Sequence, residues 1–240
     1  MKIAMWSGPR NLSTAMMYAF AARGDCAVWD EPFYAPYLAA TGADHPMAAE
    51  IIAAHEVDPA RVAARCAGPG PADSPHFYMK HMPHHMLPGF PVDWAKGCAN
   101  VFLIRHPARV VASYARKREG PVLQDLGFLQ QAALYDTFAG WGARPVVIDS
   151  DDIRANPEAA LGALCAAIGL PFTPAMLHWP AGGRAEDGVW AAHWYGAVHR
   201  STGFEAAEGP LPELSGGYAT LAEAALPYYR KLAACRLGPG

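Results

Sequence analysis

Short apolar runs bounded by turn residues recur along the chain, at residues 3–6, 26–29, 76–79, 101–104 and 146–148. These runs lack the alternation of apolar and polar residues that a half-exposed strand shows. They are typical of strands in a parallel sheet, because helices cover both faces of such a sheet. The pattern therefore predicts buried strands at these positions.

Helical patterns separate the runs. Residues 12–23 follow Asn11, which is expected to cap a helix. Asp58, His106 and Asn156 each stand directly before a proline, which suits a capping side chain followed by proline at the first helical position. The helix after His106 is expected to extend to about Lys117. Strands that alternate with helices predict an α/β fold, a three-layer sandwich with a mostly parallel central sheet.

Residues 171–217 depart from this pattern because they are rich in proline, glycine, tryptophan and histidine and show little periodicity. A linker would be polar and poor in aromatic residues. We therefore expect one domain over residues 1–240, with 171–217 as a covering or lid segment over the sheet. Trp190, Trp194 and Tyr195 in this segment either line a substrate pocket or form an aromatic core, and the sequence leaves both readings open.

Composition excludes several classes of protein. Of 240 residues, 52% are hydrophobic and 17% charged, so the chain can bury a large core and is not disordered. A net charge of −3 disfavours nucleic-acid and membrane-surface partners. No apolar run approaches the roughly 20 residues of a membrane helix, and the start is too short for a signal peptide. The five dispersed cysteines suit a reducing compartment, so we expect a cytoplasmic protein.

The loop after the first predicted strand has the features of an anion site. A loop that leads into a helix presents backbone N–H groups and the positive end of the helix dipole. Arg10, Ser13 and Thr14 add a cation and two hydroxyls, so phosphate or sulfate is the expected ligand, with an ordinary strand–helix turn as the alternative. The Walker pattern fails, because Thr14 replaces its lysine and Ala15 its magnesium-binding hydroxyl.

A second basic unit follows the fourth predicted strand. Arg105 ends this strand, and Ser113 stands eight residues later in a helix that opens with Pro107. The Arg fork and the Ser hydroxyl are expected to converge on one anion. The remaining basic residues of this unit are expected to form the solvated face of the helix: Arg109, Arg116, Lys117 and Arg118.

Together these two units resemble sulfotransferases that use 3′-phosphoadenosine-5′-phosphosulfate (PAPS). Their first loop reads close to P-K-S-G-T-T, with Arg10 here in place of Lys, and an Arg and a Ser spaced like Arg105 and Ser113 bind the 3′-phosphate. The resemblance implies a P-loop NTPase-like fold, PAPS as sulfuryl donor and no metal. The implied donor-binding residues are Pro9, Arg10, Asn11, Leu12, Ser13, Thr14, Arg105 and Ser113.

The resemblance also implies candidates for the catalytic base. Residues 78–83 resemble the K-[ST]-H-L-P segment of cytosolic sulfotransferases, which points to His81. Glu31, in an E-P-F segment familiar from bacterial members, is the second candidate. A zinc site formed by His81, His84 and His85 is conceivable, but Pro83 opposes the regular helix it requires.

The remaining expectations concern the C-terminal part and the reaction. Arg184 and Arg200 are candidates for a clamp on the nucleotide. The implied reaction moves a sulfuryl group from PAPS to a hydroxyl or amine of a small-molecule acceptor, with Arg10 stabilising charge on the leaving phosphate. A metal-dependent small-molecule kinase of P-loop-like fold and a non-catalytic nucleotide-binding protein remain alternatives. The sequence identifies neither the acceptor nor the oligomeric state.

Overall fold

A computed structural model describes residues 1–71, 73–116 and 120–238. In this part of the chain, five parallel strands form one sheet in the order β2-β3-β1-β4-β5. Each apolar run of the sequence lies within one of these strands, so the predicted α/β fold with a parallel sheet is confirmed. The strands are β1 (Lys2–Ser7), β2 (Cys26–Asp30), β3 (His76–His81), β4 (Ala99–Ile104) and β5 (Val146–Asp149).

Helices follow the strands, and three of the predicted caps are confirmed. The side chains of Asp58, His106 and Asn156 each accept a backbone N–H from the first turn of the following helix. The helix after His106 ends at Ala115, and the expected end at Lys117 lies outside the described residues. The helices are α1 (Ser13–Ala21), α2 (Tyr34–Thr41), α3 (Ala48–Ala54), α4 (Pro59–Ala67), α5 (Pro107–Ala115), α6 (Leu123–Leu126), α7 (Phe128–Gly140), α8 (Ser150–Ala155), α9 (Pro157–Ile168), α10 (Ala191–Trp194) and α11 (Gly216–Ala233).

Hydrophobic side chains cover both faces of the sheet. On one face, Met5 of β1 packs in a buried cluster with side chains of α1 and α9. On the other face, Trp6 packs in a second cluster with side chains of α4, α7 and α11. Adjacent residues of β1 therefore serve opposite cores, which gives the three layers that the sequence predicts. Within the described ranges, no helix is both long enough and apolar enough to span a bilayer.

The strand order creates a crevice at the carboxyl ends of β1 and β4. From β1 the chain moves to β2 at one edge of the sheet, whereas from β4 it moves to β5 at the other edge. Ligands of open α/β sheets bind outside the carboxyl ends of the strands at such a switch point. The first loop and Arg105 both emerge there.

The aromatic segment 171–217 packs beside this crevice. Trp179 joins the core under α1, and Tyr195 packs with Tyr34 of α2 in a smaller buried cluster. Several side chains between residues 194 and 208 reach the carboxyl ends of the strands. The role of segment 171–217 as a lid stays a prediction. The assignment of residues 1–240 to one domain also stays a prediction.

Candidate active site

The loop between β1 and α1 has a strained backbone. Arg10 and Leu12 have positive φ angles of 60° and 53°, whereas Asn11 between them does not. Each non-glycine residue in this region costs about 1–2 kcal/mol, so the surrounding structure must hold the loop in place. Alternation of this kind turns successive N–H groups into an anion-binding nest. Gly8 permits the loop to pass close to α6, since an added Cβ would lie 2.7 Å from the carbonyl oxygen of Leu126.

The expectation that Asn11 caps α1 is wrong. The helix begins at Ser13, and its N-cap residue is Leu12, whose side chain makes no capping hydrogen bond. The Asn11 amide is used elsewhere, because its Nδ2 donates to the Leu103 carbonyl oxygen at 2.7 Å and ties the loop to β4. The first N–H groups of α1 thus keep their capacity to bind an anion.

Arg10, Arg105 and Ser113 lie together at the crevice. Arg10 Nε donates to Ser113 Oγ at 3.0 Å, and Arg105 Nη1 donates to the Arg10 carbonyl oxygen at 2.5 Å. Burial, followed by the neighbouring Arg105 guanidinium, lowers the pKa of Arg10 below its ordinary value. Both effects disfavour the charged form of Arg10. A bound anion next to Arg10 favours that charged form and therefore offsets them.

Two further arginines, which sequence reasoning did not place in the site, stand beside Arg105. The predicted solvated face is wrong for Arg109, whose side chain is 10% exposed and pairs with Asp151 at 3.4 Å. Arg116 is exposed, as expected, and Lys117 and Arg118 lie outside the described residues. Arg154 of α8 is equally buried and lines the crevice. Long-range contacts of this kind leave no local pattern in a single sequence.

The crevice forms a cleft of about 400 Å³, within the usual range for small-molecule sites. Two groups of residues share it, here called the anion half and the acceptor half. The anion half comprises residues 9–15, Arg105, Ser113 and Arg154. The acceptor half comprises Glu31, Tyr34, His45, Lys80, Met82, His84, His85, Trp194 and Tyr195.

A buried ionic cluster anchors the acceptor half. Lys80 Nζ lies 2.9 Å from Asp30 Oδ1 and 2.6 Å from Glu31 Oε1. The Tyr195 hydroxyl lies 2.5 Å from Lys80 Nζ and donates to Asp30 Oδ2 at 2.7 Å. Trp190 is 2% exposed and donates its indole N–H to the same hydroxyl at 3.0 Å. Of the three aromatics left open by the sequence, Trp194 and Tyr195 therefore line the cleft and Trp190 is core.

Glu31 is the member of this cluster with an oxygen still available. Its Oε1 faces Lys80 and Tyr195, whereas its Oε2 approaches only the unpaired His85 Nδ1, at 3.8 Å, among the described residues. Burial raises the pKa of Glu31 above its ordinary value, although the Lys80 ammonium opposes the shift. Burial alone would lower the pKa of Lys80, but the adjacent Asp30 and Glu31 carboxylates outweigh it and raise that pKa. The cluster thus raises the pKa values of both Lys80 and Glu31, in Lys80 through the carboxylates and in Glu31 through burial.

His81, the first candidate base, lies away from the cleft. Side chains alternate along a strand, so Lys80 faces the cleft and its neighbour His81 faces the opposite layer. There its ring stacks on Trp6 and Trp94 at centroid distances of 4.6 and 4.8 Å. Neither ring nitrogen has a hydrogen-bond partner among the described residues, and burial lowers the pKa of His81 to about 3. This geometry argues against His81 as the base.

The other two histidines of the conceivable zinc site do lie at the cleft. The His85 ring stacks on Tyr34 at 4.4 Å with an interplanar angle of 10°. Burial lowers the pKa of His84 to about 3 and that of His85 well below its ordinary value, so both are neutral. Because His81 points into the other layer, the three histidines do not converge. Among the residues described, no group of three or more His, Cys, Asp or Glu side chains could hold a metal ion.

The C-terminal clamp candidates also lie elsewhere. The Arg184 guanidinium stands 5.8 Å from the Tyr18 ring centroid and bonds to Glu186 at 3.3 Å. Arg200 is exposed, and neither residue lines the cleft. The segment that reaches the anion half from the C-terminal part instead carries carboxylates, Glu205 and Glu208.

The site thus consists of a loop with a helix N-terminus, buried arginines and a buried carboxylate at the switch point of a parallel sheet. A model of the sulfotransferase domain matches residues 1–236. The chain therefore belongs to the sulfotransferase domain family, which confirms the resemblance carried by its motifs.

Two solved structures share the fold. A sulfotransferase domain from the curacin biosynthetic pathway aligns over 92% of this chain and 96% of its own, with TM-score 0.54 and 15% identity. A sulfotransferase domain from the Synechococcus PCC 7002 olefin synthase aligns over 93% and 94%, with TM-score 0.50 and 17% identity. At this identity the similarity concerns the fold alone.

Two Arabidopsis thaliana proteins are similar in sequence. Branched-chain-amino-acid aminotransferase-like proteins 2 and 1 are 35% and 36% identical over 230 residues, or 96% of this chain. The match covers only 41% of each relative. Their names describe the longer proteins and assign no reaction to this chain.

Proposed function

We propose that this chain is a PAPS-dependent sulfotransferase that transfers a sulfuryl group to a hydroxyl or amine of a small-molecule acceptor. The observation that carries the proposal is the juxtaposition, in one cleft, of a cationic anion half and the available Oε2 of buried Glu31. Membership of the sulfotransferase domain family supports the reaction class.

The residues of the anion half fit a 3′-phosphorylated nucleotide. Among the described residues, the buried Nε of Arg154, which lines the cleft, lacks a hydrogen-bond partner, as does the Nε of neighbouring Arg109, so the site holds a donor that a phosphate would satisfy. Arginine forks match phosphate geometry, whereas the Walker lysine and hydroxyl for ATP and magnesium are missing from the loop. When bound, PAPS supplies a sulfuryl group on a 5′-phosphate that leaves as adenosine 3′,5′-bisphosphate.

On the donor side, Arg10 and the N–H groups of residues 11–14 bind and stabilise negative charge. Positioned donors of this kind lower the barrier where charge develops during group transfer. Arg10 stays protonated, so it orients and stabilises the leaving phosphate without giving it a proton. A phosphate whose second pKa is roughly 6 needs no proton to leave at neutral pH.

On the acceptor side, Glu31 Oε2 accepts the proton of the attacking hydroxyl or amine. Lys80 and Tyr195 hold Oε1, which fixes the carboxylate of Glu31 at the cleft that it lines. A raised pKa makes this carboxylate a better base than an exposed one. The rings of Tyr34 and Trp194 beside it suit a small aromatic or amphiphilic acceptor.

A transfer assay tests the proposal. Radiolabelled PAPS is incubated with a panel of phenols, alcohols and amines in the presence of EDTA. We expect label transfer to at least one acceptor class, and none from labelled ATP. Phosphoryl transfer from ATP that requires magnesium would instead identify a kinase. Nucleotide binding without transfer to any acceptor would identify a non-catalytic binding protein.

A further inference from the structure

Three guanidinium groups surround a carboxylate of this same chain: those of Arg105 and Arg154 in the anion half and that of Arg109 beside it. Arg105 grips Glu208 with two donors, Nε to Oε2 at 3.2 Å and Nη2 to Oε1 at 2.5 Å. Arg109 Nε and Arg154 Nε lie 3.7 and 3.8 Å from the same Oε2. Arginines bind phosphate in the same way, through two parallel N–H donors of one guanidinium. The contacts of Arg109 and Arg154 add two further positive charges.

The segment that carries this carboxylate, residues 205–209, is here called the strap. Arg109 donates to the Gly209 carbonyl oxygen at 2.7 Å, and Arg154 donates to the Ala206 carbonyl at 3.3 Å and to Glu205 at 2.8 Å. In the described part of the chain, the recorded hydrogen bonds of the strap all come from these arginines. Arg105, Arg109 and Arg154 thus hold the strap in place, and residues 205–209 form no regular secondary structure.

Glu208 satisfies these cations incompletely. Within the described ranges, the buried Nε atoms of Arg109 and Arg154 have no hydrogen-bond partner, and the other carboxylate near Arg109 Nε, Asp151 Oδ1, stays 3.4 Å away. A carboxylate has two oxygens, and the Arg105 fork occupies both of them. A phosphate monoester presents three acceptor oxygens and nearly twice the charge, so it completes the contacts that Glu208 leaves open.

We infer that Glu208 is an internal counter-ion that occupies the place of the donor's 3′-phosphate and leaves it when the donor binds. The inference rests on the proposed function, because that function supplies the 3′-phosphate. Both anions need the Arg105 fork, so the site holds one or the other. Glu208 therefore weakens binding of every 3′-phosphorylated nucleotide by competing within the molecule, while it keeps the arginines in place before the donor arrives.

The test compares the affinities of adenosine 3′,5′-bisphosphate and AMP by calorimetric titration. The variants are E208Q and E208A, with E213Q as a matched control because Glu213 is exposed beyond the strap and loses the same charge. We expect E208Q to bind the bisphosphate about tenfold more tightly than the wild type, a change of about 1.4 kcal/mol. AMP has no 3′-phosphate, so its affinity should stay unchanged, and E213Q should match the wild type for both ligands.

Two outcomes would overturn the inference, and they are distinguishable. If the wild type prefers the bisphosphate over AMP but E208Q and E208A bind it equally or more weakly, Glu208 supports the site and does not compete for it; the proposed function then stands. If no variant prefers the bisphosphate over AMP, the proposed function fails and the inference falls with it. E208A is included because the glutamine amide oxygen of E208Q can still accept hydrogen bonds from Arg105, whereas alanine cannot.

Discussion

The two halves of the cleft are built in different ways. Most of the anion half comes from two strand–loop–helix units whose polar residues stand close together in sequence, and Arg154 of α8 joins them from a third. The acceptor half joins Lys80 to Tyr195 across 115 residues and Tyr195 to Asp30 across 165. Local motifs thus place Arg10, Arg105 and Ser113 for the donor, whereas Arg154 and the burial that tunes the base depend on segments that are distant in sequence.

The largest effect is expected from a variant that changes only the acceptor half. In E31Q the proton acceptor is lost while the anion half is untouched. We expect transfer from PAPS to fall about 10²–10⁴-fold, with the affinity for adenosine 3′,5′-bisphosphate unchanged. The E213Q variant should transfer at the wild-type rate. Full activity of E31Q would remove Glu31 from the mechanism.

The pH dependence of the transfer rate tests the acceptor half further. Since burial raises the pKa of Glu31, its carboxylate takes up a proton at a higher pH than an ordinary glutamate near 4.3. The rate should therefore fall tenfold per pH unit below that raised pKa, and recover above it. The Tyr195 hydroxyl lowers the pKa of Glu31, so Y195F should shift this acid limb to higher pH. An acid limb that does not move in Y195F would contradict the assignment.

A smaller effect is expected in the anion half from S113A. The variant removes the hydroxyl that Arg10 Nε contacts at 3.0 Å, and with it one polar group of the proposed phosphate site. We expect the affinity for adenosine 3′,5′-bisphosphate to fall by roughly tenfold, as for one hydrogen bond to a charged group, and that for AMP to change little. The exposed Thr220, changed to Ala, is the control. An equal loss for both ligands would place Ser113 away from the 3′-phosphate.

The smallest effect is expected from H81F, although the sequence made His81 the first candidate base. Phenylalanine fills the same aromatic box between Trp6 and Trp94 and removes two unpaired ring nitrogens. Transfer should stay within about threefold of the wild type, and the free energy of unfolding within about 1.5 kcal/mol. A loss of transfer comparable with that of E31Q would return the role of base to His81.

These differences explain what the sequence could predict. Every strand was predictable because a parallel sheet buried on both faces requires continuous apolar runs, and Arg105 and Ser113 because one strand–helix unit fixes their spacing. The sequence did contain evidence on the orientation of His81, since strand alternation puts Lys80 and His81 on opposite faces of the sheet. No pattern in the sequence indicates that Arg154 and Glu208 lie at the site, because they meet only once α8 and the strap are packed together.

The account depends most on the recognition of a 3′-phosphate by Arg105. Its most direct test is titration of the wild type, R105A and R65A with adenosine 3′,5′-bisphosphate and with AMP. Arg65 is an exposed arginine on α4 that stacks on Trp29, so its removal changes the net charge equally. We predict that the wild type and R65A bind the bisphosphate at least about tenfold more tightly than AMP, as a charge-assisted fork provides, and that R105A loses this preference. Equal affinity of the wild type for both ligands, or an undiminished preference in R105A, would contradict the account.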